Sequence, residues 1–465
     1  MIRTKFLLLI GFFSVQILNA QAPGVTFPFE VFDKDDIPVS RYNERREKLR
    51  TILTENTAIV VFSADIRNRQ NDVDYEYRQN SDLLYLSGAP SHSMTLFVSK
   101  NPITFEGKEY KEVLFTPKRS MFMEVWLGTS MGPEEAKEHL GIETLDNSKM
   151  VSFLEELTKQ VDTLRFTTLP SKTVKVPFGK SVFIEDEVSK IVKQHRSDIT
   201  LKYNFSLARF REVKDPDELR LLQKAVDISI EGHLNAIKNT KPGMAEYQIE
   251  ALMEFGFKNG GAQDVGYPSI VASEYNACIL HYNKNRRKTS PTELVLADCG
   301  AEYHGYTADI TRTFPVTGRF TEEQKIIYNI VLEAQDSGIA ACIVGHPFKA
   351  PHEAATRVIT KRLLELGIIS KPEETKYYFM HGTSHYLGLD VHDAGTNGAL
   401  KEHTVLTVEP GIYISKGSPC DKKWWNIGIR IEDDILVTNG KPINMSGALP
   451  RTIVGIESLM KKNPK

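Results

Sequence analysis

Four apolar, strand-like runs in the second half of this chain each carry or end on a carboxylate, where burial makes a charge costly. Residues 293–298 read Glu-Leu-Val-Leu-Ala-Asp and end on Asp298. Residues 306–314, Tyr-Thr-Ala-Asp-Ile-Thr-Arg-Thr-Phe, hold Asp309. The run 404–408 leads into Glu409, directly before Pro410 and Gly411, and residues 426–432 end on Glu432. Such acids must be compensated for the strands to form. Period two puts Thr307, Asp309, Thr311 and Thr313 on one face. A hairpin turning near Tyr303 and His304 is expected to set Asp298 opposite Asp309. Two carboxylates that close repel, and one pKa rises, unless a cation lies between them. In the last run Ile427, Ile429 and Ile431 point one way, and Gly428, Arg430 and Glu432 the other. Gly428 is expected to leave room on that face for a ligand, and Arg430 to pair a carboxylate beside Glu432. Taken alone, the two aspartates read equally well as one capped turn and one ion pair, and either glutamate reads more readily as an ion pair.

The stretch 380–392, Met-His-Gly-Thr-Ser-His-Tyr-Leu-Gly-Leu-Asp-Val-His, adds His381, His385 and His392. One histidine alone has many ordinary roles. With four carboxylates it completes a cage rich in oxygen, poor in nitrogen and free of thiolate. That donor set favours a hard or borderline divalent ion such as manganese over a structural zinc. Bridging carboxylates would hold two ions about 3.5 Å apart, the spacing that clamps a hydroxide nucleophile.

The remainder of the chain can be read as the device that builds this cage. At 465 residues it is too long for one ordinary core, so two domains are expected. Charge is balanced, with 58 Lys and Arg against 60 Asp and Glu and no basic stripe, which argues against a nucleic-acid partner. Arg3 and Lys5 followed by the apolar run 6–13 read as a secretory signal over 1–20, with the cut after Ala20. The expected location is therefore the periplasm or the exterior, with no membrane association after cleavage. Cys278, Cys299, Cys342 and Cys420 lack metal-finger spacing, and the first two read as buried thiols in strands. Residues 21–208 are expected to form a smaller α/β domain. It has a helix at 41–53, strands at 58–62, 83–86, 94–98 and 113–115, and helices at 133–139 and 150–160. Asp215-Pro-Asp-Glu218 is a helix start, with a capping residue, a proline at the first helical position and a capping-box glutamate. From there residues 209–465 should carry helices to 241 and over 245–258, 321–343 and 350–366. Strands are expected at 268–272, 278–282, 293–299, 306–314, 404–408 and 427–437.

Six motifs, in order, resemble the creatinase/aminopeptidase P family of metallopeptidases. They are Ile-Leu-His-Tyr-Asn-Lys-Asn at 279–285, Asp-Cys-Gly at 298–300, Asp-Ile-Thr-Arg-Thr-Phe at 309–314, the run 381–393, Thr-Val-Glu-Pro-Gly-Ile-Tyr at 407–413 and Gly-Ile-Arg-Ile-Glu-Asp at 428–433. In the first half, Tyr-Arg-Gln-Asn-Ser-Asp-Leu-Leu-Tyr-Leu-Ser-Gly at 77–88 is similar to a segment of that subgroup's N-terminal domain. The resemblance implies an α+β fold, a pita-bread catalytic domain behind a creatinase-type N-terminal domain. It also implies a dinuclear site of Asp298, Asp309, His385, Glu409 and Glu432, usually loaded with manganese. The implied reaction is hydrolysis of the bond between an N-terminal residue and a following proline, whose nitrogen has no N–H. Glu409 would act as general base. His281 and His392 would contact the substrate and the tetrahedral intermediate, and His392 would assist the leaving group. His381 would line the proline side, with Arg430 and Tyr413 holding supporting contacts. A homo-oligomer, dimer or tetramer, is expected. Leu84 stands where many relatives carry a Trp that reaches a neighbour's site, and Asp72 or Asp74 would supply an acidic contact to the substrate amine. The competing readings are a Xaa-Pro dipeptidase on the same fold and a non-enzymatic pita-bread binding protein.

Overall fold

The computed structural model describes residues 28–31, 34–167 and 184–461. The expected signal sequence, 1–20, lies outside the described residues.

The first half is built on a six-stranded sheet. In spatial order its strands are Thr144–Asp146, Lys108–Thr116, Thr95–Phe105, Thr57–Phe62, Thr163–Thr167 and Thr200–Phe205. Val60, Phe97, Phe115 and Phe166 fill one face against Phe153, Leu154 and Leu157 of the helix Met150–Gln160. Ile59, Val61, Leu96 and Leu114 fill the other and join a core that continues into the second half. Alternate residues of each strand thus serve two cores. The run 83–86 is not a strand. It lies in the helix Ser81–Ser87, capped by the Asn80 side chain on Asp82 N and Leu83 N and ended by Gly88 in the left-handed region. The cap and the stop override the apolar composition.

In the second half the helix Pro216–Asn239 starts at the Asp215–Glu218 capping box. It packs on Glu246–Asn259, and Glu322–Ala340 packs on Ala350–Glu365. Between these pairs lie short sheets. In one, Ile270–Ser273, Leu294–Asp298 and Thr311–Pro315 run side by side. In two others Val405–Val408 pairs with Asp433–Leu436, and Gly411–Ile414 with Ile427–Arg430.

Three expected strands are corrected. Residues 278–282 leave a 3-10 turn, Glu274–Cys278, and continue without strand pairing. Cys278 is accordingly half-buried rather than sunk in a strand, while all four cysteines are free. The run 306–314 is split into Tyr306–Thr307 and Thr311–Pro315. Asp298 faces Thr311, not Asp309, because the chain crosses Gly300 between the two pieces. A Cβ on Gly300 would lie 1.8 Å from Ala308 O, so only glycine admits this crossing. The run 427–437 is split in the same way, between Arg430 and Asp433, where the chain passes from one sheet to the next.

Candidate metal centre

All four acidic ligand candidates stand at strand ends or breaks. Asp298 ends its strand, Asp309 lies in the crossing over Gly300, and Glu409 and Glu432 occupy the two opposed breaks between Val408 and Gly411 and between Arg430 and Asp433. Strand breaks free side chains from the strict alternation of the pleat, so carboxylates from different sheets can converge. The histidine loop is aligned on the same strands. Glu409 N donates to Thr383 O at 2.9 Å, Thr407 N to His385 O at 3.0 Å and Leu387 N to Val405 O at 3.1 Å. This register sets His385 beside Glu409.

The ligand atoms of Asp309, His385 and Glu432 all lie within 4.8 Å of one another. His385 Nε2 is 3.3 Å from Asp309 Oδ2 and 3.4 Å from Glu409 Oε1. The Tyr267 hydroxyl lies 2.6 Å from Asp298 Oδ1 and 2.5 Å from Asp309 Oδ1, so one proton serves two carboxylates. Burial pushes Glu409 up to about 7, against the opposing charges of His385 and Arg430. Asp309 and Glu432 are raised as well, first by burial and then by like charges. Burial alone would depress His385, but its hydrogen bond to Asp309 and the charges of Asp309 and Glu409 lift it to about 9. Four carboxylates therefore face one another with the Arg430 guanidinium and the His385 ring as the cations at hand. The donor chemistry fits divalent metal.

Arg430 pairs a carboxylate, as expected, and that carboxylate is Asp298. Its Nη2 donates to Asp298 Oδ2 at 2.5 Å, Nη1 to the Tyr413 hydroxyl at 2.8 Å and Nε to Thr311 Oγ1 at 3.1 Å. Glu432 instead accepts from the Thr311 hydroxyl at 2.6 Å. Gly428 leaves no room for a ligand, since a Cβ there would meet Ala277 O at 2.3 Å. His381 Nε2 and the Tyr413 hydroxyl are 2.8 Å apart, and His381 Nδ1 is 3.6 Å from Glu409 Oε2. Burial, reinforced by Arg430, depresses His381 to about 4, so its ring is neutral near pH 7. The rings of His385 and His392 lie 4.2 Å apart. His392 is depressed by burial and then by the charges of His385 and His281, both on the same side of the cage. His281 and His392 are exposed. Asp72 and Asp74 are exposed on the hairpin of Asn68–Gln70 and Val73–Asp74. Leu84 is partly buried against the core, and a side chain at Gly305 would come within 2.5 Å of Leu84 Cδ2.

The sequence reading missed the residues that support the cage. Tyr267, Thr311 and Thr407 carry ordinary strand or loop side chains, and only their long-range contacts give them a role. His352 stands beside the site, its Nδ1 3.0 Å from Thr383 Oγ1 and its ring 5.4 Å from Phe379, which in turn lies 5.1 Å from His381. Glu246 is the most heavily engaged. Its Oε1 accepts from Ser273 N at 2.8 Å, Ser273 Oγ at 2.7 Å and Asn276 Nδ2 at 3.0 Å. Its Oε2 accepts from the Tyr282 hydroxyl at 2.8 Å and Arg287 N at 2.9 Å. These contacts fold the segment that carries His281. In the sequence Glu246 reads only as an acid in a first helical turn.

Known proteins match both halves of the chain. Residues 220–439 match the model of metallopeptidase family M24, and residues 42–165 that of the aminopeptidase P N-terminal domain. A Xaa-Pro aminopeptidase of Haemophilus influenzae is 34% identical over 437 residues, covering 91% of this chain and 98% of the relative. Among solved structures, Pseudomonas aeruginosa aminopeptidase PepP superposes with a TM-score of 0.83 at 32% identity, covering 92% of this chain and 99% of that one. Escherichia coli aminopeptidase P with the inhibitor Pro-Leu gives 0.82 at 32% identity, covering 91% and 98%. With both halves matched and a relative 34% identical over 91% of the chain, the chain belongs to the aminopeptidase P family of M24 metallopeptidases.

Proposed function

We propose that this metalloaminopeptidase is a Xaa-Pro aminopeptidase that releases the first residue of peptides with proline in second position. The observation that carries the reading is the convergence of Asp309, His385 and Glu432 within 4.8 Å, with Glu409 against His385 and Asp298 joined to Asp309 through Tyr267. Asp298, Asp309, His385, Glu409 and Glu432 would hold two divalent ions, and the absence of thiolate in the set supports manganese. When bound, such ions supply an activated hydroxide at neutral pH and polarise the scissile carbonyl.

The chain's own residues do the remaining work. Glu409, 3.4 Å from His385 in the cage, is placed to take a proton from the attacking water and return it. His381 is kept neutral and is oriented by Tyr413, so it can border a proline ring without bringing a charge to it. His281 and His392, exposed at the mouth, are available to the substrate carbonyl and, for His392, to the departing nitrogen. Arg430 fixes Asp298 and Tyr413 together. The dipeptidase and binding-protein readings are not favoured, given the relatives matched over nearly their whole length.

Two further readings remain proposals. The chain is exported to the periplasm or the exterior, which the basic start and apolar run of residues 1–20 support. It works as a homo-oligomer, dimer or tetramer. The exposed side chains of Met121, Met123, Val125, Trp126 and Leu127, with Trp126 73% and Leu127 72% exposed, support this, and sedimentation velocity tests it.

The deciding experiment offers Ala-Pro-Ala, Ala-Ala-Ala and the dipeptide Ala-Pro side by side with added manganese. Loss of contact with the proline ring is expected to lower kcat/KM on Ala-Ala-Ala by roughly ten- to two-hundredfold. Equal rates on the two tripeptides would overturn the proline preference. Cleavage of the dipeptide alone would make the enzyme a dipeptidase.

A further inference from the structure

We propose that Ser81 and Asp82, in the N-terminal half, are positioning residues for the reaction. They act by fixing the loop 388–393 and with it the place of His392. The inference rests on the reading that His392 meets the substrate.

The loop is tied down at several points that the catalytic residues do not explain. The Arg211 side chain, 5% exposed, reaches both halves of the chain. Its Nη1 donates to Asp82 Oδ1 at 2.9 Å, and its Nη2 to Asp390 Oδ2 at 2.6 Å and to Asp393. The fully buried Lys214 adds Nζ to Asp393 Oδ2 at 2.7 Å. The Ser81 hydroxyl donates to Asp390 Oδ1 at 2.6 Å. Arg78, just before that helix, donates from Nη2 to Leu389 O at 2.5 Å and to Gly305 O at 3.1 Å. Three cations, Arg78, Arg211 and Lys214, thus hold the loop, two of them through its own Asp390 and Asp393, and two further tethers, Ser81 and Asp82, come from a helix that bears no ligand.

His392 is exposed and lies between Val391 and the clamped Asp393, so its backbone determines where the ring stands beside His385. A buried ion pair contributes little net stability against a well-packed apolar alternative. A network of this kind is better matched to holding one loop geometry. A displacement of about 1 Å at a reacting group can cost a hundredfold in rate.

The test is a double-mutant cycle on the metal-loaded full-length enzyme, with Asp82→Ala, His392→Ala and the double variant, reading kcat and KM separately on Ala-Pro-Ala. Asp82→Ala is expected to lower kcat roughly tenfold, with a smaller change in KM. In the His392→Ala background it should cause no further loss beyond about twofold, because the group it positions is gone. Losses that multiply in the double variant, or an unchanged kcat in Asp82→Ala, would overturn the proposal. Full kcat in His392→Ala would instead overturn the role of His392 beneath it. If Asp82→Ala does not fold, the same cycle is run with Ser81→Ala, which removes a single hydroxyl from Asp390.

Discussion

Glu246 offers the sharpest check on how the site is supported. Its carboxylate receives five donors, and the residue is fully buried. Replacing it with Gln keeps the shape but removes the charge and turns one acceptor oxygen into a donor. If the new amide takes the place of Oε2, the Tyr282 hydroxyl can rotate to accept, but Arg287 N–H cannot. One buried backbone donor is then unsatisfied, at about 1–3 kcal/mol, and the remaining bonds lose charge assistance worth a further ~0.5–1 kcal/mol each. With three bonds left on Oε1 the total is about 2.5–6 kcal/mol, concentrated on residues 273–287. Amide hydrogen exchange reads this locally. The protection of Ser273 and Arg287 should fall by roughly a hundredfold or more, while amides in the sheet centred on Thr57–Phe62 are unchanged. Because the loosened segment carries His281, kcat/KM should fall as well. Full protection of both amides in Glu246→Gln would refute the argument, whatever the activity.

Asp298→Ala and Glu432→Ala should each lose bound metal and turnover while keeping native circular dichroism, and undiminished metal content by elemental analysis would refute the ligand assignment. In chelated enzyme the Glu409 carboxyl has a folded-state pKa above its unfolded value, so the folded state holds a proton that unfolding releases. Its contribution is fully present below about pH 4.5 and is lost as pH rises through about 7, a difference of roughly 3 kcal/mol. Melting temperatures of chelated wild type and Glu409→Gln should therefore differ in pH slope across that window, and parallel slopes would count against it. The proposed export predicts a mature chain starting at Gln21, and mass spectrometry recovering intact Met1 from the periplasmic or secreted protein would contradict it.

The acids of the cage were legible because each interrupts an apolar run, and a charge in such a place demands an explanation. What escaped the sequence was how the runs break. Alternation continues unbroken through Tyr306–Phe314 on paper, yet the close approach of Gly300 to Ala308 splits the strand and puts Thr311 opposite Asp298. Residues 83–86 have a strand's composition, but the Asn80 cap and Gly88 stop make a helix, and both signals were present in the sequence. Partners distant in the chain were the least visible. Arg430 adjoins Glu432 along the strand but turns to Asp298, 132 residues away. Tyr267 lies 31 residues from Asp298 and 42 from Asp309. Adjacency in sequence gave Arg430 a carboxylate partner without saying which one, and gave Tyr267 no partner.

The paired breaks at Glu409 and Glu432 bear on how the chain tolerates change in length. On one side Val408 is matched to Asp433, and on the other Gly411 to Arg430, so two independent ladders hold the glutamates in step. A shift of one residue in either strand would move both ladders out of register and displace the two glutamates together, so a half-assembled cage is not a neighbouring state of this hairpin. The hairpin's far end is different. Around Gly417, in the left-handed region and flanked by exposed Lys416, the chain turns beyond both ladders. Insertions there lengthen the turn without altering the spacing of the glutamates, and this tip is where a tag or a recognition loop can be added while the metal centre keeps its geometry.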